Sequence, residues 1–142
     1  VCLHVGTILS KAYHRPQAQI IKQLVDQKKL GKKSGEGFYR WQDGKPIKPK
    51  TRSLPYPEDL QDRLILSMVN ESMAVLREKV IADADLLDTA IIFGTGFAPF
   101  LGGPLNYARN LGSQTLTAKL KDLAAQYGAQ FKPEEGITSY IV

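Results

Sequence analysis

The residue types that most often carry out catalysis are scarce in this 142-residue sequence. Its two histidines, His4 and His14, would lie almost three turns apart on one helix, a separation of about 15 Å. A general base needs an orienting partner within hydrogen-bond reach, and the first carboxylate of the chain is Asp26. We therefore predict that both histidines are surface or capping residues and that this chain holds no catalytic residue.

The sequence predicts neither a metal centre nor a nucleotide site. Its His, Cys, Asp and Glu residues nowhere show the spacing of metal ligands. Gly94-Thr95-Gly96 resembles part of a dinucleotide-binding fingerprint, but that fingerprint follows a strand and has Gly or Ala at its sixth position. Here a predicted helix comes first and the sixth position is Pro99. We expect the glycines to permit a tight loop instead.

Two polar residues, Asn70 and Glu71, lie within the strongest apolar helical pattern of the chain. Polar groups buried at a helix interface must be hydrogen-bonded. We predict that Glu71 anchors the glycine-rich loop 94–103, with a direct role in substrate binding as the alternative.

The elements that would position these residues fall into two units joined by a linker at 43–57. That stretch holds four prolines and Gly44, which exclude a helix or a central strand. Before it, we predict a helix over 1–13 and a second helix that Pro16 opens and Gly31 ends. Residues 31–41 then form a turn and a short extended segment whose aromatic rings dock on a core. The predicted core contacts of the first helix are Leu3, Ile8, Leu9 and Ala12.

After the linker, apolar residues at helical spacing predict a long helix from 57 or 58 to 79. Asp83 is the predicted N-cap of a helix ending at Gly94. Two further helices are expected over 104–111 and 113–127. Almost no alternating pattern of strands appears, so the sequence predicts an all-α fold. The apolar stripe of the long helix is Leu64, Ile65, Met68, Val69, Met73, Val75 and Leu76.

A short internal similarity suggests a helical repeat. Val5-Gly6-Thr7 resembles Leu111-Gly112-Ser113, and a similar run of apolar and lysine positions follows each glycine. This indicates that residues 1–41 are the tail of one repeat and 58–142 a second, diverged copy.

Charge and composition exclude several classes of protein. The net charge of +5 is concentrated between Lys28 and Arg52, where nine basic residues face two acidic ones. Such a segment is a solvated loop or attracts an anion, and no nucleic-acid-binding motif organises it. No apolar run approaches the roughly 20 residues of a membrane span, and no signal peptide is recognisable. The single cysteine, Cys2, suits a reducing compartment.

Three segments resemble one protein family. Residues 30–39, LGKKSGEGFY, resemble the signature that closes the first helical domain of 3-hydroxyacyl-CoA dehydrogenases. Residues 63–76, with Val69-Asn70-Glu71, resemble a helix of the second helical domain, and residues 84–104 resemble the segment that follows it. The order and the presence of a second copy are typical of the multifunctional α-subunit type.

This resemblance implies a fold of the 6-phosphogluconate dehydrogenase C-terminal-like type. It assigns 1–42 to the tail of the first helical repeat, 43–57 to the linker and 58–142 to the second repeat. Ala98 stands where the family often has proline, which leaves the local loop shape open. The family motif residues are Gly35, Gly37, Phe38, Tyr39, Asn70, Glu71, Asp88, Gly94, Gly96, Phe97, Pro99, Gly102, Gly103 and Pro104.

The resemblance also implies an activity for a longer parent protein. Such enzymes oxidise an L-3-hydroxyacyl-CoA to the 3-ketoacyl-CoA with NAD, using a His–Glu pair in an upstream Rossmann-type domain that follows an enoyl-CoA hydratase domain. None of those motifs occurs in this chain, so we expect it to be architectural and inactive alone, with NAD bound upstream. Lys32, Lys33 and Arg40 are candidate contacts to the CoA phosphates.

Expected partners are the upstream domains, the acyl-CoA substrate, a thiolase subunit and a second copy of the chain, in a bacterial cytoplasm. An interaction module for dimerisation or thiolase docking is the alternative function. A small anion- or nucleic-acid-binding protein is a third, supported only by the sequence pI of 9.3.

Overall fold

A computed structural model describes residues 1–48 and 55–140, and in them the chain is all-α apart from one small β-hairpin, as the sequence predicts. The chain divides into two compact units, Val1–Pro55 (unit 1) and Tyr56–Val142 (unit 2). The seven described α-helices are α1 Cys2–Ala12, α2 Gln19–Asp26, α3 Leu60–Arg77, α4 Ala84–Thr95, α5 Pro104–Leu111, α6 Ser113–Tyr127 and α7 Ile137–Tyr140. The strands are β1 Arg40–Gln42 and β2 Lys45–Ile47.

The helices of unit 1 begin and end differently from the prediction. Pro16 does not open α2, because residues 15–18 are irregular and the helix begins at Gln19. Gly31 does not end it, since α2 stops at Asp26 and Lys28 takes the left-handed conformation at φ 58°. The side chain of Gln17 supports this path by donating hydrogen bonds of 3.0 Å to Leu3 O and Thr7 Oγ1 on α1.

The predicted core of unit 1 is wrong. No described residue of this unit is buried, and the side chains of Ile8 and Leu9 are about half exposed. Ala12 is exposed and Leu3 is half-buried. Helical spacing predicted correctly that these residues lie on a helix. It could not show whether another element of the chain packs against them.

The hairpin of unit 1 takes up part of the predicted linker. β1 and β2 pair antiparallel, with Trp41 opposite Pro46, around a two-residue turn at Asp43-Gly44. Both turn residues have positive φ, 50° and 75°, which is the geometry that Asp-Gly favours between hairpin strands. The preceding rings do not dock on a core as predicted, because Phe38 is 70% exposed. Residues 49–54 of the linker lie outside the described residues.

The core of unit 2 lies among α3, α4, α5 and α6, together with the segment that follows α6. On α3 the buried apolar residues are Leu66, Val69 and Met73, whereas Leu64, predicted to be buried, is 65% exposed. The remaining buried apolar residues of this core are Leu87, Leu105, Ala108, Leu116, Leu120, Leu123, Phe131 and Ile137.

The predicted helix boundaries of unit 2 are mostly confirmed. The side chain of Asp83 accepts hydrogen bonds from the backbone N–H groups of Asp85 and Leu86 and so caps α4. That helix continues past Gly94 to Thr95, and Gly96 ends it in the left-handed conformation. α5 and α6 have the predicted bounds, with Gly112 between them.

The two segments of the internal similarity differ in local structure. Gly6 lies inside α1, whereas Gly112 separates α5 from α6 at φ 84°. The similarity therefore does not mark equivalent helix starts, and the division into two repeats stays a prediction.

Candidate functional site

The buried carboxylate of Asp88 joins α4 to the beginning of α5. Asp88 Oδ1 accepts a hydrogen bond of 2.7 Å from the Leu105 N–H, and Oδ2 accepts one of 2.9 Å from the Asn106 N–H. The first N–H groups of a helix have no partner within the helix, and an anion is favoured at that end. The carboxylate of Asp88, a residue only 5% exposed, therefore supplies hydrogen-bond acceptors from α4 for two of these N–H groups.

The glycines before α5 allow its close approach to α4. A Cβ atom at Gly103, where φ is 99°, would lie 2.4 Å from Asp88 Cγ. A Cβ at Gly102 would lie 2.4 Å from the amide nitrogen of Asn106, which donates a hydrogen bond of 2.8 Å to Leu101 O. This loop of the Gly-Gly-Pro motif is thus fixed by Asp88 and Asn106.

Asn70 holds the segment after α6, whereas the anchoring of the 94–103 loop by Glu71 stays a prediction. Asn70 Nδ2 donates a hydrogen bond of 2.9 Å to Lys132 O, and Oδ1 accepts one of 2.8 Å from the Glu134 N–H. Glu71 is exposed on α3, whereas the buried carboxylate next to the loop is that of Asp88. Helical periodicity located both residues on α3 but did not show which way each one faces.

An ion pair strengthens the same attachment. The guanidinium of Arg77 donates a hydrogen bond to the carboxylate of Glu134, and this bond raises the pKa of Arg77. With Asn70, it fixes the backbone on both sides of Pro133 to α3. Sequence reasoning missed this pair, because its members are separated by 57 residues.

A polar cluster joins the beginning of α3 to α6. The hydroxyl of Tyr127 donates a hydrogen bond of 2.6 Å to Asp59 Oδ2, which raises the pKa of Tyr127. The guanidinium carbon of Arg63 lies 4.2 Å from the centroid of the same ring. The ammonium of Lys119 donates a hydrogen bond to Asp62, which raises the pKa of Lys119. Apart from the opposite charges on two helices, no sequence pattern indicates these pairings.

The other family motif residues of unit 2 serve the loop or the core. Phe97 is 6% exposed and Pro104 is fully buried, whereas Pro99 begins a short 3-10 turn, Pro99–Leu101. Gly94 is inside α4 and Gly96 ends it. The glycines of a dinucleotide fingerprint precede a helix, whose N-terminus receives the pyrophosphate. These two glycines therefore do not fit NAD.

The family motif of unit 1 forms a compact turn. Gly35 has φ 77°, and a Cβ at Gly37 would lie 2.8 Å from Gly31 Cα. The hydroxyl of Ser34 accepts a hydrogen bond of 2.7 Å from the Leu30 N–H, which closes the loop. Tyr39, at the end of the motif, is 45% exposed.

The candidate CoA contacts lie in unit 1 on adjacent pieces of chain. Lys32 and Lys33 belong to a 3-10 turn, Lys32–Ser34, and Arg40 begins β1. All three are exposed. A Cβ at Gly44 would lie 3.6 Å from Lys32 Nζ, so this lysine lies over the hairpin turn.

The remaining features of the described residues suggest no reactive centre. His4 and His14 are both exposed, and residues 1–48 and 55–140 contain no group of His, Cys, Asp and Glu side chains that could hold a metal. None of the described helices is both long and apolar enough to cross a bilayer. An open groove of about 360 Å³ lies beside α6, lined by Ser113, Gln114, Thr117, Ala118, Lys121 and Thr138.

Comparison with known proteins agrees with the sequence resemblance. No protein-family profile matches the chain. It is 34% identical to the fatty acid oxidation complex subunit alpha of Idiomarina loihiensis over an alignment of 136 positions. The chain is related to the C-terminal part of a fatty acid oxidation complex alpha subunit. This alignment covers 88% of the chain but 19% of that alpha subunit, so the chain spans about a fifth of the length of the relative.

Proposed function

We propose that this chain is the C-terminal helical part of a multifunctional fatty-acid β-oxidation enzyme. The parent protein would oxidise L-3-hydroxyacyl-CoA to 3-ketoacyl-CoA with NAD and carry an enoyl-CoA hydratase domain, in a bacterial cytoplasm. The observation that carries this proposal is the 34% identity to the C-terminal part of a fatty acid oxidation complex alpha subunit.

Within that enzyme the role of the chain is architectural. Two polar side chains of the family motif bind backbone groups of neighbouring elements: Asp88 binds the beginning of α5, and Asn70 binds the segment after α6. Each such bond fixes one element against another. NAD would be bound by an upstream Rossmann-type domain, which also supplies the His–Glu pair.

An activity assay of the chain tests this division of labour. We expect no NADH to form when the chain is incubated with a 3-hydroxyacyl-CoA and NAD, because it holds no His–Glu pair. Formation of NADH in proportion to chain concentration would contradict the proposal. A purified preparation of the Asp88→Asn variant, which alters a structural residue, distinguishes genuine activity from a contaminating dehydrogenase, since a contaminant is unaffected by the substitution.

A contribution to CoA binding is the finer part of the proposal. Lys32, Lys33 and Arg40 are exposed, close together in sequence and part of a segment rich in positive charge. The ammonium group of a lysine attracts phosphate as a point charge, whereas the guanidinium of an arginine can donate two parallel hydrogen bonds to it. Titration of the chain with acetoacetyl-CoA, repeated with Lys32→Glu and Lys33→Glu, tests it: binding should weaken in both variants and be unchanged in Lys121→Glu.

An interaction module is the second candidate function, and one observation favours it. Large apolar side chains are exposed on the helices of both units, among them Ile8, Ile20 and Phe93. Docking of a thiolase subunit would use such a surface. A pull-down with a purified thiolase subunit tests this, and the absence of binding at micromolar concentration would exclude it.

A further inference from the structure

Asp43 and Gly44 form the turn of the hairpin in unit 1, and this is the one place in the sequence where a glycine follows an aspartate. Both residues are exposed, and both have positive φ. Glycine has no Cβ atom, so no side chain at position 44 shields its backbone nitrogen from the carboxyl group of Asp43. The two groups that would close a five-membered succinimide ring are therefore adjacent in the chain and open to solvent.

The hairpin that holds this turn is small. β1 and β2 have three residues each and form a two-stranded sheet. A two-stranded hairpin by itself is marginally stable in water, and the strand residues of this hairpin are at most half-buried. Opening of the turn therefore costs little free energy. It allows the backbone and side chain of Asp43 to rotate into the geometry of ring closure.

Four other aspartates are held in ways that oppose this reaction. Asp88 and Asp122 lie inside helices, where the N–H group of the next residue is hydrogen-bonded along the helix. The carboxylate of Asp83 accepts hydrogen bonds from the beginning of α4. Asp26 is the last residue of α2, forms an ion pair with Lys22 and is followed by glutamine. Sequence and fold therefore both favour the reaction at Asp43.

We propose that Asp43-Gly44 is a site of spontaneous conversion to isoaspartate and that the conversion opens the hairpin. The backbone nitrogen of Gly44 attacks Cγ of the protonated Asp43 side chain. A C–N bond forms as a C–O bond breaks, and the hydroxyl of the carboxyl group leaves with the amide proton as water. Water then cleaves one of the two C–N bonds of the succinimide ring. Cleavage at Cγ restores aspartate, whereas cleavage at the backbone carbonyl gives isoaspartate.

Isoaspartate lengthens the turn, because the backbone then runs through the side chain of Asp43 and gains one carbon atom. The register of a hairpin depends on the length and type of its turn. Here Gln42 is opposite Lys45 and Trp41 is opposite Pro46 around a two-residue turn. The longer turn does not fit this register. Trp41 is half-buried and is the single tryptophan of the chain, so its fluorescence reports on the hairpin.

Peptide mapping of the chain after prolonged warm incubation at neutral pH tests the site. The tryptic peptide that begins at Trp41 should appear in a second form of equal mass and different retention time. Protein isoaspartate methyltransferase should label that form with a methyl group from S-adenosylmethionine. The peptide 23–28, which contains the exposed Asp26, is the matched control and should keep a single form.

A synthetic peptide of residues 41–48, incubated in parallel, gives the rate without the fold. The proposal is overturned if Asp43 stays unmodified in the chain over an incubation that converts most of this peptide.

Two variants of the turn separate the chemistry from the fold. Asp43→Gly and Asp43→Asn both give turns that hairpins favour, Gly-Gly and Asn-Gly. Asp43→Gly should lose the second form and the methyl label completely, since it has no carboxyl group to attack. Asp43→Asn should form isoaspartate faster than the unaltered chain, because ammonia then leaves from an amide. Methyl labelling of the Asp43→Gly chain equal to that of the unaltered chain would place the isoaspartate elsewhere and overturn the assignment.

The fluorescence of Trp41 tests the effect on the hairpin. Emission from the incubated chain should shift to longer wavelength in proportion to the isoaspartate formed, because Trp41 becomes more exposed as the hairpin opens. The incubated Asp43→Gly chain should show no shift. A chain that has accumulated isoaspartate but keeps the emission of the fresh chain contradicts the opening of the hairpin.

Discussion

Gly103 lies so close to Asp88 that any residue with a Cβ atom at position 103 would clash with the Asp88 side chain. A Cβ added at Gly103 would lie 2.4 Å from the Cβ and Cγ atoms of Asp88. The same carboxylate accepts the hydrogen bonds from the Leu105 and Asn106 N–H groups. The glycine is therefore what permits α5 to begin against the side chain that caps it.

Gly103→Ala should destabilise unit 2 by about 3 kcal/mol or more, because it combines a steric overlap with a φ of 99° and a ψ of 170°, a region open essentially to glycine alone. Gly96→Ala is the matched control. Its φ is 75° and no atom lies within 4 Å of the added Cβ, so only the left-handed conformation costs energy, about 1 kcal/mol. Urea denaturation measures both, and equal losses would contradict the close approach to Asp88.

Asp88→Asn should reduce the free energy of unfolding by roughly 2 kcal/mol. The amide keeps one acceptor oxygen but places its NH₂ group opposite a buried backbone N–H, which is then unsatisfied. Asp122→Asn, an identical change at an exposed position of α6, should cost less than about 0.5 kcal/mol. If the two variants unfold at the same urea concentration, Asp88 does not hold α5.

Asn70→Ala should release the segment after α6 from α3. The substitution removes both hydrogen bonds to Lys132 O and the Glu134 N–H, at a cost of about 1–2 kcal/mol. Hydrogen exchange at the Glu134 amide should become faster than in the unaltered chain, while exchange at amides within α4 changes little. Unchanged protection of Glu134 would show that Asn70 is not its acceptor.

Alkaline pH should destabilise unit 2 through Tyr127. The pKa of Tyr127 is raised by its hydrogen bond to Asp59, so its contribution to stability is complete below its ordinary value of about 10 and is lost as pH rises through the higher folded value. The chain has six tyrosines, and Tyr127→Phe should remove one ionisation step from an absorbance titration. It should also reduce the alkaline loss of stability. Some loss should remain, because Asp62 also raises the pKa of Lys119. Deprotonation of Lys119 at alkaline pH therefore removes a further contribution to stability.

Periodicity and capping residues predicted the helices of unit 2 well, because those signals are local. Asp83 caps α4 through residues two and three positions away, and glycines 112 and 128 follow helices at the predicted positions. The hairpin was missed although its Asp43-Gly44 turn is a local signal, because the neighbouring prolines indicated a linker.

The candidate site depended on contacts that no local pattern contains. Asp88 meets the beginning of α5 across 17 residues, and Asn70 meets Glu134 across 64. Family resemblance named Asp88, Asn70 and Gly103 as motif residues, but only the fold shows that Asp88 and Asn70 bind backbone groups and that Gly103 permits the close approach to Asp88. Helical spacing likewise located Glu71 on α3 but did not show that its side chain is exposed.

Calorimetric titration of the chain with NADH tests the central claim most directly. The claim is that this helical part is architectural and that the cofactor is bound upstream. It predicts no saturable heat with NADH at concentrations well above those at which a dehydrogenase binds its cofactor. The structural reason is that Gly94 and Gly96 lie at the end of α4 rather than before a helix, so they provide no place for the pyrophosphate. A saturable heat with one NADH per chain would contradict the claim.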